Sequence, residues 1–242
     1  MNDNSSTIEI YWSPFFERGL VDWSMLYQGK ISTLYDEMRS EMVHDAESHK
    51  NLFYCPAFKN LTPNVAVLKN TMKSQFKIEN DNLVHVLRSS ISSQIPRKPS
   101  MDGRHHLEYG LGWIFFSEDD VEISMTSPYF DTPNHMKYGN VVPGKFNISS
   151  WFRKITPEFV LKKGVNEFEI GEEDIVYLTF NTQKKLKFTR FEMTDTLRSY
   201  ARACSSSTEW EQWLELETRY ERFNKSEMPK LVLNEIRKNL IY

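Results

Sequence analysis

Leu111-Gly-Trp-Ile-Phe-Phe-Ser-Glu-Asp-Asp-Val-Glu-Ile-Ser-Met125 carries the pattern on which the fold turns. Leu111, Trp113 and Phe115 alternate with Gly112, Ile114 and Phe116. Ser117-Glu-Asp-Asp120 then interrupts, and Val121, Ile123 and Met125 resume the alternation. Residues two apart share one face of a strand, so the stretch reads as two strands with a continuous apolar face. Its four-residue acidic connection has an ordinary hairpin length. The segment predicts an antiparallel hairpin at the centre of a sheet.

Working outward, the same grammar runs from about Asn64 to Met193. Phe76 with Ile78 and the run Leu83 to Leu87 precede the hairpin. Phe146 to Trp151, Phe159 with Leu161, Phe168 with Ile170, Ile175 to Phe180, and Leu186 with Phe188 follow it at roughly ten-residue spacing. Lys163-Gly164, Gly171 to Asp174 and Asn181 to Lys184 punctuate these runs as turns. Two longer stretches break the pattern. Ser89 to Gly103, rich in Ser, Pro and basic residues, reads as an exposed loop, and Ser127 to Gly144, with Pro128, Pro133 and Pro143, reads as a long connection of the kind that carries function.

The flanks differ. Thr7 to Trp12 alternates and meets Ser13-Pro14, a strand stopped by proline, and Asp22 to Tyr27 is a candidate partner for it. Ile31, Leu34, Tyr35, Met38 and Met42 fall at helical spacing, and Asn51 to Pro63 reads as a loop or covering segment. After Glu192 the spacing is helical. Thr194 is a candidate N-cap, Trp210, Trp213, Tyr220 and Phe223 form a stripe, and Val232, Ile236 and Leu240 form another. The expected fold is α+β in one domain: a strand-helix cover over residues 1–63, an antiparallel β-sandwich of jelly-roll type over 64–193, and a C-terminal helical subdomain over 194–242.

Composition narrows the function classes. Of the 242 residues, 40% are apolar and 14% aromatic, enough to bury a core that offsets the chain entropy lost on folding. A formal charge of −3 and a pI near 6.1 supply no global field that gathers phosphates, which argues against a dedicated nucleic-acid binder. Cys55 and Cys204 sit in no CxxC or Cys/His cluster and read as reduced, largely buried thiols. Met1 to Thr7 is polar and acidic, and no run approaches the 18 apolar residues of a membrane span, which predicts a protein of a cytoplasm.

A resemblance adds origin. The run Gly144-Lys-Phe-Asn-Ile-Ser-Ser-Trp-Phe-Arg-Lys-Ile-Thr-Pro-Glu-Phe-Val-Leu161, followed by Gly171-Glu-Glu-Asp-Ile-Val-Tyr-Leu-Thr-Phe-Asn-Thr182, resembles an uncharacterised protein family encoded by T4-like marine phages of cyanophage type. Cys55-Pro-Ala-Phe58 ahead of Asn70-Thr71, Arg219-Tyr-Glu-Arg-Phe223 and Glu235-Ile236 share the likeness. This chain has Asn147 and Lys154 where aspartate and proline are expected. The resemblance implies a viral protein acting in a bacterial host or in the virion, and it carries no catalytic residue over.

Four constellations compete for function. Gly103-Arg-His-His-Leu-Glu108 places His106 and Glu108 on one strand face, and with His135 they would make the facial triad of a cupin-like Fe(II) oxygenase. No glycine-proline-glycine-histidine pattern supports it downstream, and exposed loop histidines are the simpler reading. Arg88, Arg97, Lys98 and Arg104, with Lys184, Lys185 and Lys187 beside aromatic strands, could neutralise a single-stranded nucleic acid, but a solvated rim on an acidic protein explains them too. Cys55 with His49 or His85 is a weaker thiolate–imidazole candidate. Trp151-Phe152-Arg153 combines residue types enriched at binding hot spots. The expected role is therefore a non-enzymatic interaction protein, binding a viral or host protein through Trp151, Phe152 and Arg153 with the Pro128-to-Pro143 connection as a second surface. The metal-dependent oxygenase and single-strand binding are alternatives, and oligomeric state is left open.

Overall fold

In the computed structural model the described residues are 7–15, 31–42, 55–70, 73–79, 82–87, 94–97, 103–109, 112–130, 132–172, 174–205 and 216–241. The strands are β1 (Ile8–Pro14), β2 (Val65–Lys69), β3 (Ser74–Glu79), β4 (Asn82–Leu87), β5 (Gln94–Arg97), β6 (His106–Tyr109) and β7 (Trp113–Phe116). They continue with β8 (Glu122–Thr126), β9 (Gly139–Val141), β10 (Gly144–Asn147), β11 (Glu158–Leu161), β12 (Glu167–Ile170), β13 (Asp174–Phe180) and β14 (Leu186–Arg190). The helices are α1 (Leu34–Met42), α2 (Pro56–Leu61), α3 (Asp195–Ser205), α4 (Leu216–Lys225) and α5 (Met228–Lys238), with 3-10 turns at Thr62–Asn64 and Asn134–Lys137. The class is α+β and mostly sheet. Asp22 to Tyr27 lies outside the described residues.

The strands form four hydrogen-bonded sheets, ordered β14-β1-β7, β10-β8-β13-β2, β5-β6-β11-β9 and β12-β3-β4. Among the described residues every pairing is antiparallel except β1 with β14, which run parallel from Ile8 opposite Leu186 to Trp12 opposite Arg190. The Thr7-to-Trp12 strand, expected in a cover, is thus the middle strand of a sheet. α1 falls where the helical spacing implies, whereas α2 is a short helix in the Asn51-to-Pro63 stretch expected as a loop or covering segment. Leu34 and Met38 of α1, with Phe58 of α2, pack on Val65, Val67 and Tyr177.

The apolar clusters resolve this into stacked layers. Ile8, Ile10 and Trp12 of β1 and Trp113 and Phe115 of β7 face Ala66, Leu68, Ile123, Val176, Leu178 and Phe180 of the sheet built on β8 and β13. Phe180 meets Phe115 edge-on at 6.2 Å and Phe188 of β14 at 5.5 Å, so aromatic rings stitch the two sheets together. On the opposite face of the β1 sheet, Tyr11, Ile114 and Phe116 pack on Leu197 and Ala201 of α3, Phe223 of α4, and Val232, Leu233 and Ile236 of α5. β7, β2 and β13 are therefore covered on both faces, the condition under which a strand reads as an unbroken apolar run. Each large side chain so buried contributes roughly 1.5–3 kcal/mol. Leu107, Val141, Phe159, Leu161, Phe76 and Phe168 extend the inter-sheet core into the two remaining sheets.

This layering overturns the central hairpin. β7 pairs with β1, while β8 pairs with β10 and β13, so Ser117 to Asp120 carries the chain from one sheet to the next instead of folding it back. Ser117 fixes the corner, its hydroxyl donating to the Glu9 carbonyl at 3.0 Å and accepting from the Asp119 amide at 3.2 Å. Two expected connections also contain regular structure. Ser89 to Gly103 includes β5, an edge strand that tolerates Pro96 because an edge needs no second ladder. Ser127 to Gly144 includes the Asn134–Lys137 turn and β9. Conversely, the strand expected over Phe146 to Trp151 stops at Asn147.

Candidate functional site

The end of β10 positions the Trp151-Phe152-Arg153 segment. The Asn147 side-chain oxygen accepts from the Ser149 amide at 2.8 Å and the Ser149 hydroxyl at 2.6 Å, an Asx-type turn that takes the chain off the ladder. Ile148 then donates to the Val121 carbonyl at 3.0 Å, and Ile155 donates to the Trp113 carbonyl at 2.7 Å. Pinned at both ends, the segment crosses from the sheets to the C-terminal helices. Phe152 is fully buried between them, edge-on to Phe116 at 5.6 Å and near Phe191 at 6.5 Å. It is a core residue.

Trp151 and Arg153 are half-buried and engaged within the chain. The Trp151 ring lies 4.2 Å from that of Tyr220 in α4 and 5.8 Å from Phe146, and the Arg153 guanidinium sits 4.4 Å above the indole. A cation over Trp is worth about 0.5–2 kcal/mol, more as water is excluded. Burial pushes the Tyr220 phenol well above its ordinary value against the opposing pull of Arg153. Burial likewise pushes the Cys204 thiol at the end of α3 up to about 11, with the Phe152 backbone hydrogen bond and the Arg153 charge opposing it. The triplet expected to grip a partner also clasps α3 and α4 on the sheet through these contacts within the chain. The C-terminal stripe serves the same packing through Tyr220 and Phe223, while Trp210 and Trp213 lie outside the described residues.

The Pro128-to-Pro143 connection has a different character. Its neck is closed by the Val141 amide donating to the Ser127 hydroxyl at 3.0 Å, and Lys162 Nζ donates to the Met136 and Lys137 carbonyls at 3.0 Å each. On this braced loop Tyr129 is 51% and Phe130 43% exposed. Tyr129 stands edge-on to buried Tyr177 at 5.0 Å, and Phe130 lies 5.9 Å from Phe58 of α2. Leu61, three residues on from Phe58 and so on the same helix face, is 44% exposed. Phe58, Leu61, Tyr129 and Phe130 are thus large apolar groups gathered at the surface from two braced elements. The sequence signal for them was an aromatic pair, Tyr129-Phe130, enclosed by Pro128 and Pro133.

Of the three expected metal ligands, His106 and His135 are placed and the Glu108 side chain lies outside the described residues. β6 and β11 place His106 opposite Val160 and Leu107 opposite Phe159, so these pairs occupy alternate faces of the ladder. His135 is buried with its ring 5.6 Å from that of Phe159, on the core face. The two imidazoles lie on opposite faces and do not converge. His106 Nδ1 instead pairs with Glu158 Oε1 at 2.6 Å, a diagonal cross-strand contact. Among the described residues no group of three His, Cys, Asp or Glu side chains gathers.

The remaining candidates are dispersed. Cys55 is exposed at the start of α2, contrary to the buried thiol expected, and His49 and the His85 side chain lie outside the described residues. So do Arg88, Lys98 and the Arg97 side chain, while Arg104, Lys184 and Lys185 are exposed. Lys187 is committed to Glu9 at 2.9 Å. At Glu9 the upward push of burial is outweighed by hydrogen bonds from Thr189, Lys187 and Tyr11, which hold the carboxyl below its ordinary value. No described helix is long and apolar enough to cross a membrane. No family model, curated protein or solved structure matches this chain.

Proposed function

We propose that this protein is a non-enzymatic interaction component of phage type, acting in a virion or a bacterial host, and that it engages a protein partner through Tyr129 and Phe130. The observation that carries the reading is their exposure on a loop whose neck and flank are hydrogen-bonded in place. Aromatic side chains have few rotatable bonds, and a braced backbone has already lost its freedom, so docking there costs little conformational entropy. Phe58 and Leu61 widen the same surface. Trp151 and Arg153 serve it only indirectly, by fixing the helices on the far side of the sheets.

The test is affinity capture from infected and uninfected host extracts with the wild-type chain, Tyr129→Ser/Phe130→Ser, and Trp151→Ala. A partner retained by the wild type and by Trp151→Ala, and lost by the double variant with an unchanged circular dichroism spectrum, supports the assignment. Retention by the double variant overturns it. Stoichiometric iron in protein purified without a metal-chelating tag, absent from His106→Ala, would favour the oxygenase alternative, and nucleic-acid affinity falling steeply with salt would favour single-strand binding.

A further inference from the structure

We draw no further inference here: the strongest candidate, the His106–Glu158 pair on the outward face of the β6–β11 ladder, leaves the His106 Nε2 buried without a hydrogen-bond partner but offers that nitrogen no surface through which a ligand could reach it and no third ligating side chain among the described residues.

Discussion

Gly139 and Gly144 bracket the end of the Pro128-to-Pro143 connection, and the same substitution at each should move stability in opposite directions. Gly139 opens β9 opposite Leu161 of β11. A Cβ there would overlap the Val160 carbonyl oxygen and stand 2.8 and 2.9 Å from two carbons of the Phe159 ring. The carbonyl belongs to the ladder backbone and cannot retreat without opening β9–β11, and the ring is wedged in the core. Gly139→Ala should therefore cost about 1–3 kcal/mol, the range for overpacking a closed site. At Gly144 the added Cβ would meet only the Met125 methyl at 3.9 Å, an ordinary contact. Its backbone is not among the positive-φ glycines, so Gly144→Ala should stabilise by about 0.4–1 kcal/mol through the unfolded chain. Urea denaturation followed by circular dichroism measures both, provided the slope m stays constant between variants. If the two variants shift the midpoint the same way, or Gly139→Ala is as stable as the wild type, the close approach of β9 to β11 is wrong.

Phe152→Ala should lose about 3–5 kcal/mol, the cost of emptying a buried aromatic site, whereas Phe130→Ser should stay within about 0.5 kcal/mol; equal losses in a denaturant titration would contradict the assignment of one to the core and the other to the surface. Thr194→Ala should cost about 1 kcal/mol, because the Thr194 hydroxyl caps the Leu197 amide of α3 at 3.2 Å; an unchanged melting temperature would count against that cap. For Cys204, the folded thiol is raised from 9.0 to about 11, so below about pH 9 both states keep the proton and no stability is lost. Above about pH 9 the unfolded chain ionises first, and the folded state should weaken until the folded thiol ionises near pH 11, most visibly against a Cys204→Ala control whose alkaline slope is flatter. Identical slopes would remove the buried-thiol account. In a thiol titration at pH 8, exposed Cys55 should react first and Cys204 only on unfolding, an order that reversed kinetics would refute.

Strand existence was legible in the sequence, and strand partnership was not. Phe76-Lys-Ile78, Phe159 to Leu161, Phe168 to Ile170, Ile175 to Phe180 and Leu186 to Phe188 all fall in strands, because alternation and turn residues are local signals. Lys163-Gly164 is a turn with Gly164 at φ 83°. Partnership depends on which apolar face finds which layer. Trp113-Ile-Phe-Phe116 is apolar at every position, and that was the available clue that β7 is covered on both sides, by a second sheet and by helices, and so need not fold back on β8. Consecutive strands do pair in β3–β4 and β5–β6. The helices at the two flanks were legible except α2, whose Pro56–Leu61 lies in a stretch expected as a loop or cover. Thr194 caps as its side chain allows, and α1 starts with a reciprocal Thr33–Asp36 cap that the spacing alone did not reveal. At the candidate site, Trp, Phe and Arg side by side suit a binding surface and a packed junction equally well. Their residue types could not separate the two, and the stacking of Trp151 on Tyr220, distant in sequence, was not legible at all.

The parallel pairing of β1 with β14 also sets an order of events in synthesis. Ile8 lies opposite Leu186, 178 residues later, and β1 is the strand that joins β7 to β14. At about 5–20 residues per second, that separation takes roughly 9–36 s to translate. Through that interval the first strand, with Ile8, Ile10 and Trp12 on one face, has an unfilled edge and is exposed to pairing with neighbouring nascent chains. The β8–β13 sheet can assemble earlier, since β13 is complete before β14 emerges. Contacts this distant in sequence make closure of the central sheet a late and slow step, which places the assembly of the helical face, and of the Trp151 clasp on it, at the very end of folding.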